Sequence, residues 1–357
     1  MAGQITHILA GEKALEASSR EVCDSVLRER GRWFRLGCQG PDIFYHNQRT
    51  KPSALQYGAL AHRHGYGTLL EAAVRALPRE RRLPATVAGA YLLGLATHAA
   101  VDRRTHPFIV FYSGWADPAK PGSERYRSCH PFLERLLDES LLSQWRGMEP
   151  AQFDMESLVC GPEPRQDSDR ELVALWAAGL RAAFPRATGQ DSLLESRIAN
   201  ALEDARHFMR LTNPKRTAML PGNEDWFSHL DDGIGPRSVS LVYPDRIPEG
   251  LELASLGSEG WEHPAGDGRR ESSTYAQVVE EAAVDARAAL DSLIPLLGEE
   301  DGEIVLARIV GDGGLSIGDL EGRPLPPRLS RPLPLAEIMT GEYERRSEWA
   351  RRRAASH

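Results

Sequence analysis

The sequence predicts an all-α protein: a multi-helix bundle holding a metal cluster between its helices, followed by a mostly helical carboxy-terminal extension with irregular segments. Three observations predict it. Long segments, including 170–184, 193–211 and 275–297, carry apolar residues at helical spacing. Metal-capable side chains recur every four residues, as His98, Asp102 and His106 and again as His130, Glu134 and Asp138. Glycine and proline concentrate in 222–270 and 302–334, which accounts for the irregular part.

In order along the chain, Thr6 is placed to cap a first helix running to Glu29 and stopped by Gly31. Residues 32–52 read as a loop, with Gly37, Gly40 and Pro41 as breakers. A second helix is expected over 54–77, ending before Pro78, and a third from Pro84 through His98 and Asp102 toward Pro107. Residues 112–128 read as a connecting loop and 130–144 as a fourth helix. Residues 150–164 look like a linker, so two regions are expected: 1–150, helical and metal-binding, and 165–357, helical with Gly/Pro-rich loops, either separate or packed on the first. A short strand is expected at Ile304–Val310.

A chain of 357 residues, 41% hydrophobic and 26% charged, has the composition of a globular protein with a large core. Its formal net charge of −8 gives no basic field for nucleic acid, so no specific nucleic-acid partner is expected. No apolar run reaches transmembrane length. The opening MAGQITHILAGEKALEASS has neither a basic start nor an apolar stretch, so no signal peptide is read. Cys23, Cys38, Cys129 and Cys160 form no CxxC pair and read as free thiols. Together these lead to the expectation of a cytoplasmic protein. The sequence does not address its oligomeric state.

Residues four apart on an α-helix share a face. One helix therefore presents imidazole, carboxylate and imidazole in one direction, and a second presents imidazole and carboxylate. Facing each other, the two make a nitrogen- and oxygen-rich pocket suited to zinc or a similar divalent ion. An ordinary amphipathic helix places leucines there, because unpaired buried imidazoles and carboxylates are costly. Seven of the eleven histidines lie at or before His130, which favours one centre. Asp138 reads best as a solvent-facing acid, with orientation of His130 as the alternative. Phe44, Tyr45 and His46 line either a substrate pocket or a loop anchor. Trp261 is expected to bury on the helical core. Trp226, His229 and the segment 261–264 are candidates for a lid. Arg345, Arg346 and Arg351–Arg353 read as a solvated helix end, with anionic lipid as the alternative.

Five pieces in order resemble the zinc-dependent phospholipase C family, whose all-helical fold is shared with the P1/S1-type nucleases. They are ITHILAGEKAL with His7, LGCQGPDIFYH with Asp42, YGALAHRHGYGTLLEAA with His62 preferred over His64, LGLATHAAVDRRTHP with His98, Asp102 and His106, and CHPFLERLLD with His130 and Glu134. The resemblance covers residues 1 to about 145 well and the rest loosely. It implies a phospholipase C/P1 nuclease-like fold and two to three Zn2+ ions. Asp42, His62, His98 and Asp102 would hold one ion. His106, His130 and Glu134 would hold a second, and His7 with Asp102 a third. It implies a metal-dependent phosphoric ester hydrolase, most simply a phospholipase C-like phosphodiesterase using a metal-bound hydroxide, with Asp42 as the catalytic group that orients or deprotonates the water. The implied substrate is a phosphoric ester such as a lipid head group. A P1/S1-like nuclease or nucleotidase and a non-catalytic helical protein with a structural metal site are the alternatives.

Two features depart from the family pattern. In the secreted relatives the processed amino terminus binds the third ion, so here that site is expected to be weaker, with His7 and Asp102 supplying part of its shell. The interval from Asp102 to His106 is also shorter than in the secreted bacterial enzymes, though both residues stay on one helical face.

Overall fold

The computed structural model describes residues 3–78, 83–161, 166–217, 239–244, 246–297, 305–319 and 321–354. Helices make up nearly all of its regular structure. The expected all-α class holds. The strands among the described residues are Trp261–Glu262 (β1) and Arg270–Glu271 (β2), paired antiparallel with Trp261 opposite Glu271. Trp226, His229 and Arg79–Arg82 lie outside the described residues.

The bundle is organised around α5, Val87–Ser113. Thr86 caps it, its hydroxyl accepting from the Gly89 N–H at 3.0 Å. Nearly every residue of α5 is buried, including His98, Asp102 and His106. A helix buried all round lies inside a protein rather than on it. It is enclosed by α1 (Gln4–Ser18), α2 (Arg20–Cys38), α6 (Cys129–Arg146), α7 (Gln166–Ala183) and α11 (Tyr275–Leu296). A single hydrophobic cluster runs through these helices from Ile5 to Met339, so α11 and the start of α13 (Leu335–Ala354) share the core of the amino-terminal helices. The remaining α-helices among the described residues are α3 (Leu55–Arg63), α4 (Tyr66–Ala76), α8 (Pro185–Thr188), α9 (Leu194–Leu211), α10 (Pro214–Thr217) and α12 (Leu306–Val310).

One close approach sets the geometry. A Cβ built on Gly94 of α5 would lie 2.0 Å from the Phe34 carbonyl oxygen, and one on Gly37 of α2 would lie 2.1 Å from the Tyr91 carbonyl oxygen. Backbones this near leave no room for any side chain at either position. The two helices therefore cross glycine to glycine, and the end of α2 is pressed against the metal-capable face of α5.

Several boundaries differ from the sequence reading. The first helix is two, broken at Ser19, whose hydroxyl accepts from the Val22 N–H and caps α2. α2 then passes Gly31 with a kink at Arg30, so the expected loop 32–52 is helical as far as Cys38. The second expected helix breaks at His64–Gly65 into α3 and α4. α5 continues beyond Pro107 to Ser113. Residues 306–310, expected as part of a strand, are the helix α12. Arg346 is buried and donates to the Thr217 and Tyr243 carbonyls at 3.2 and 3.0 Å, so it is no part of a solvated end. Arg351 and Arg352 are exposed, and Arg352 pairs with Glu348.

Candidate metal centre

The centre starts at the α2–α5 crossing. There the Cys38 carbonyl accepts a hydrogen bond from His98 Nδ1 at 3.0 Å. The chain then turns through a 3-10 segment, Gly40–Phe44, that carries Asp42. Gly40 has φ +52, and a Cβ there would lie 2.3 Å from the His98 ring, so glycine is required both for the turn and for the approach. His62 comes from the last turn of α3, with Nδ1 on the Gly58 carbonyl at 2.8 Å. His106 Nδ1 is 3.0 Å from the Asp102 carbonyl one turn back. A carbonyl only accepts, so in all three rings Nδ1 carries the proton. When the ring is neutral, the Nε2 lone pair is left for a ligand.

Asp102 is the hub. Its Oδ1 lies 3.2 Å from His7 Nε2 and 3.5 Å from His106 Nδ1. Its Oδ2 lies 3.3 Å from His98 Nε2 and 3.4 Å from His62 Nε2. Each carboxylate oxygen thus faces a different pair of imidazoles. Asp42 completes the cluster, with Oδ1 at 2.9 Å from His62 Nε2 and Oδ2 at 3.9 Å from His7 Nε2. His7 stacks on His98 with ring centroids 4.3 Å apart. Among the described residues neither ring nitrogen of His7, nor Nε2 of His98, makes an aligned hydrogen bond, although all three atoms are buried. Buried nitrogens left in this way are costly unless a ligand satisfies them.

Charge points the same way. Burial alone raises the Asp42 carboxyl, but the His62 hydrogen bond and the neighbouring imidazoles bring it down to about 2. Burial opposes the charge on His62, yet bonds to Asp102 and Asp42 push it up to about 9. The His62 proton stands where the two carboxylates call for a cation. Burial depresses His106 to about 3 and also lowers His98, so both rings are neutral, the form that binds metal. One group of donors that can close on an ion is His7, Asp42, His98 and Asp102; another is His106, His130 and Glu134. In the second, His130 Nε2 is 2.7 Å from Glu134 Oε1, and the His130 ring lies 5.5 Å from that of His106. Neutral imidazoles with carboxylates fit zinc.

Residues 6–168, which carry all eight candidate ligands, match the family described as zinc dependent phospholipase C. This part of the chain belongs to that family. No curated protein and no solved structure matches the chain.

Within this zinc-dependent phospholipase C domain, His7 sits inside the Asp42–His98–Asp102 group rather than apart from it. His64 is exposed and packs edge-on against Phe184, away from the cluster. Asp138 corrects the sequence reading, since it is fully buried rather than solvent-facing. Its carboxylate accepts from the Ile5 and Thr6 N–H groups at 3.0 and 2.7 Å, from the Thr6 hydroxyl at 2.7 Å and from the Tyr243 hydroxyl at 2.8 Å. It thus caps α1 from α6, one turn beyond Glu134, and sets where His7 enters the cluster. Only the four-residue spacing hinted at this, because the partners are more than 100 residues away.

A cavity of about 1290 Å³ opens onto the second group. His62, His106 and His130 line it together with Tyr45, His46, Arg49, Arg63 and Arg127. Leu55, Val110, Trp115, Phe208, Ile317 and Leu325 give it an apolar wall. Sequence reasoning missed the arginines and the wall formed by residues 314–327. Arg103 on α5 holds that wall, donating to the Val310, Gly311, Gly313 and Gly314 carbonyls. Trp261 is buried edge-on against Phe108, as expected, and His263 faces a different cavity with it, so neither covers the metal centre. Family and donor set together support a metal-dependent hydrolase. Among the described residues no helix is long and apolar enough to cross a membrane.

Proposed function

We propose that the chain is a phospholipase C-like phosphodiesterase that holds two to three zinc ions. The observation that carries this reading is the pairing of two donor groups with one large cavity. Part of its wall is apolar, and His62, His106 and His130 also line it. That shape admits an ester with an apolar arm and a phosphoryl group at the donors.

His7, Asp42, His62, His98 and Asp102 would hold ions on one side, and His106, His130 and Glu134 on the other. The two oxygens of Asp102 face different imidazole pairs and so suit a bridging role. Bound zinc supplies a water of lowered pKa and offsets charge on the phosphoryl oxygens. The protein's part is to orient. Carbonyls of Gly58, Cys38 and Asp102 fix three imidazoles. Asp42, with one oxygen on His62, would accept a proton from the attacking water with the other. The four cysteines are free and buried, which suits the proposed cytoplasmic setting.

The zinc-loaded protein should hydrolyse the chromogenic diester bis(p-nitrophenyl) phosphate, and Asp42→Ala should lower kcat by about a hundredfold or more. Fully loaded protein that turns over no phosphodiester would overturn the reading. The structural-metal alternative instead requires that chelation unfold the chain without any turnover.

A further inference from the structure

The charge of the cavity is opposite to that of the chain. The protein carries a formal −8, yet the cavity lining includes Arg49, Arg63, Arg127 and Arg135 against one described carboxylate, Asp204. Two of these arginines are committed. Arg49 pairs with Asp204 and Glu203, and buried Arg135 bonds the Tyr243 hydroxyl beside Asp138. Asp204 is committed as well: its Oδ2 accepts from Asn47 and from the Arg49 and Thr50 N–H groups at 2.8 to 3.0 Å. Arg63 and Arg127 remain, exposed and with no acidic partner among the described residues. Arg63 directly follows His62, and Arg127 lies three residues before His130, so each cation flanks a candidate metal ligand on the cavity lining.

A phosphodiester carries one negative charge. Two or three divalent ions against Asp42, Asp102 and Glu134 would leave one to three positive charges, enough to meet it. Arg63 and Arg127 are surplus to that balance. They disfavour a substrate whose second arm is a quaternary or primary ammonium, because the described lining offers such a cation no uncommitted carboxylate. We propose that Arg63 and Arg127 select phosphodiesters whose polar arm bears a further anionic group, such as a second phosphate, over zwitterionic ones. This rests on the phosphodiesterase reading above and deepens it. The arginine forks suit a second phosphate through charge-assisted hydrogen bonds.

The test uses the full, zinc-loaded chain and short-chain lipids below their micelle-forming concentrations, so that no lipid surface is present. Release of dihexanoylglycerol is followed from dihexanoyl phosphatidylcholine and from dihexanoyl phosphatidylinositol 4-phosphate, with bis(p-nitrophenyl) phosphate as a control without a charged arm. The kcat/KM should favour the anionic arm by about tenfold at low salt, a typical scale for two exposed charge pairs acting together. The preference should shrink as salt rises. The double variant Arg63→Gln/Arg127→Gln should bring the ratio toward one. Hydrolysis of the control diester with equal or better use of the choline lipid would overturn the selectivity and leave the phosphodiesterase reading standing. A preference that survives the double substitution would overturn the assignment to these arginines. A preference seen only on anionic vesicles would place the effect at the lipid surface instead of the cavity. Failure on the control diester as well would remove the reading on which the proposal rests.

Discussion

Gly94→Ala is a sharp probe of how the fold builds the centre, because two effects of known size oppose each other. Alanine is the better helix former by about 0.8 to 1.0 kcal/mol in a helix interior. In an isolated helix the change would stabilise. Here the new Cβ would lie 2.0 Å from the Phe34 carbonyl oxygen and 2.7 Å from the Cys38 nitrogen. Ordinary contact needs about 3.4 Å, so α2 and α5 must part locally by about 1.4 Å. Forcing atoms into a packed crossing costs about 1 to 3 kcal/mol and at times more. Subtracting the propensity gain from the clash cost leaves a net destabilisation of up to about 2 kcal/mol. The displacement also falls on Cys38, whose carbonyl orients His98 at 3.0 Å. Loosening such a support typically lowers metal affinity by about ten- to a hundredfold. Urea unfolding midpoints of the metal-free protein and zinc titration of the same samples read the two effects separately. A midpoint at or above that of the parent chain, with unchanged zinc affinity, would refute the claim that the glycine crossing sets the site.

The remaining expectations concern single residues. Asp102→Ala should lose more bound zinc than His7→Ala, because the Asp102 oxygens face four imidazoles whereas His7 contributes one ring; equal loss by elemental analysis would refute the bridging role. Asp138→Ala strips the acceptor from the Ile5 and Thr6 N–H groups and leaves buried Arg135 poorly paired, which should cost about 3 to 5 kcal/mol in denaturant melts. A loss below about 1 kcal/mol would show that the cap carries no stability. Burial depresses His46, stacked on Phe208, to about 4. The unfolded chain therefore takes up a proton that the folded chain refuses, and stability should fall as pH drops from about 6.5 toward 4. Comparison of unfolding curves for the parent chain and His46→Gln isolates this part, which should be missing from the variant.

What the sequence revealed and what it hid divide along the range of the interactions. His98, Asp102 and His106, like His130 and Glu134, were legible because a helix turns an interval of four into a shared face within one element. The breaks at Ser19 and His64–Gly65 were not, since apolar spacing continues across each of them. Gly31 reads as a stop, but the helix bends at Arg30 and continues, because burial of Trp33, Phe34 and Leu36 outweighs the local penalty. Pro107 likewise reads as an end. α5 continues through it because Phe108–Tyr112 bury in the core. Asp138 looked like a surface acid because its partners, the start of α1 and Tyr243, lie far away in sequence. The cavity wall at 314–327 was hidden for the same reason: Arg103 holds it from more than 200 residues away.

The most direct test of the account is the metal content of the purified chain. The protein should be expressed with zinc present and analysed for zinc and competing divalent metals per chain, then again after stepwise chelation with helix content followed by circular dichroism. The two donor groups lead us to expect at least two ions per chain, with one removed by mild chelation before the rest and the helices retained. Less than one ion per chain would contradict the central claim that these eight side chains are gathered to hold metal.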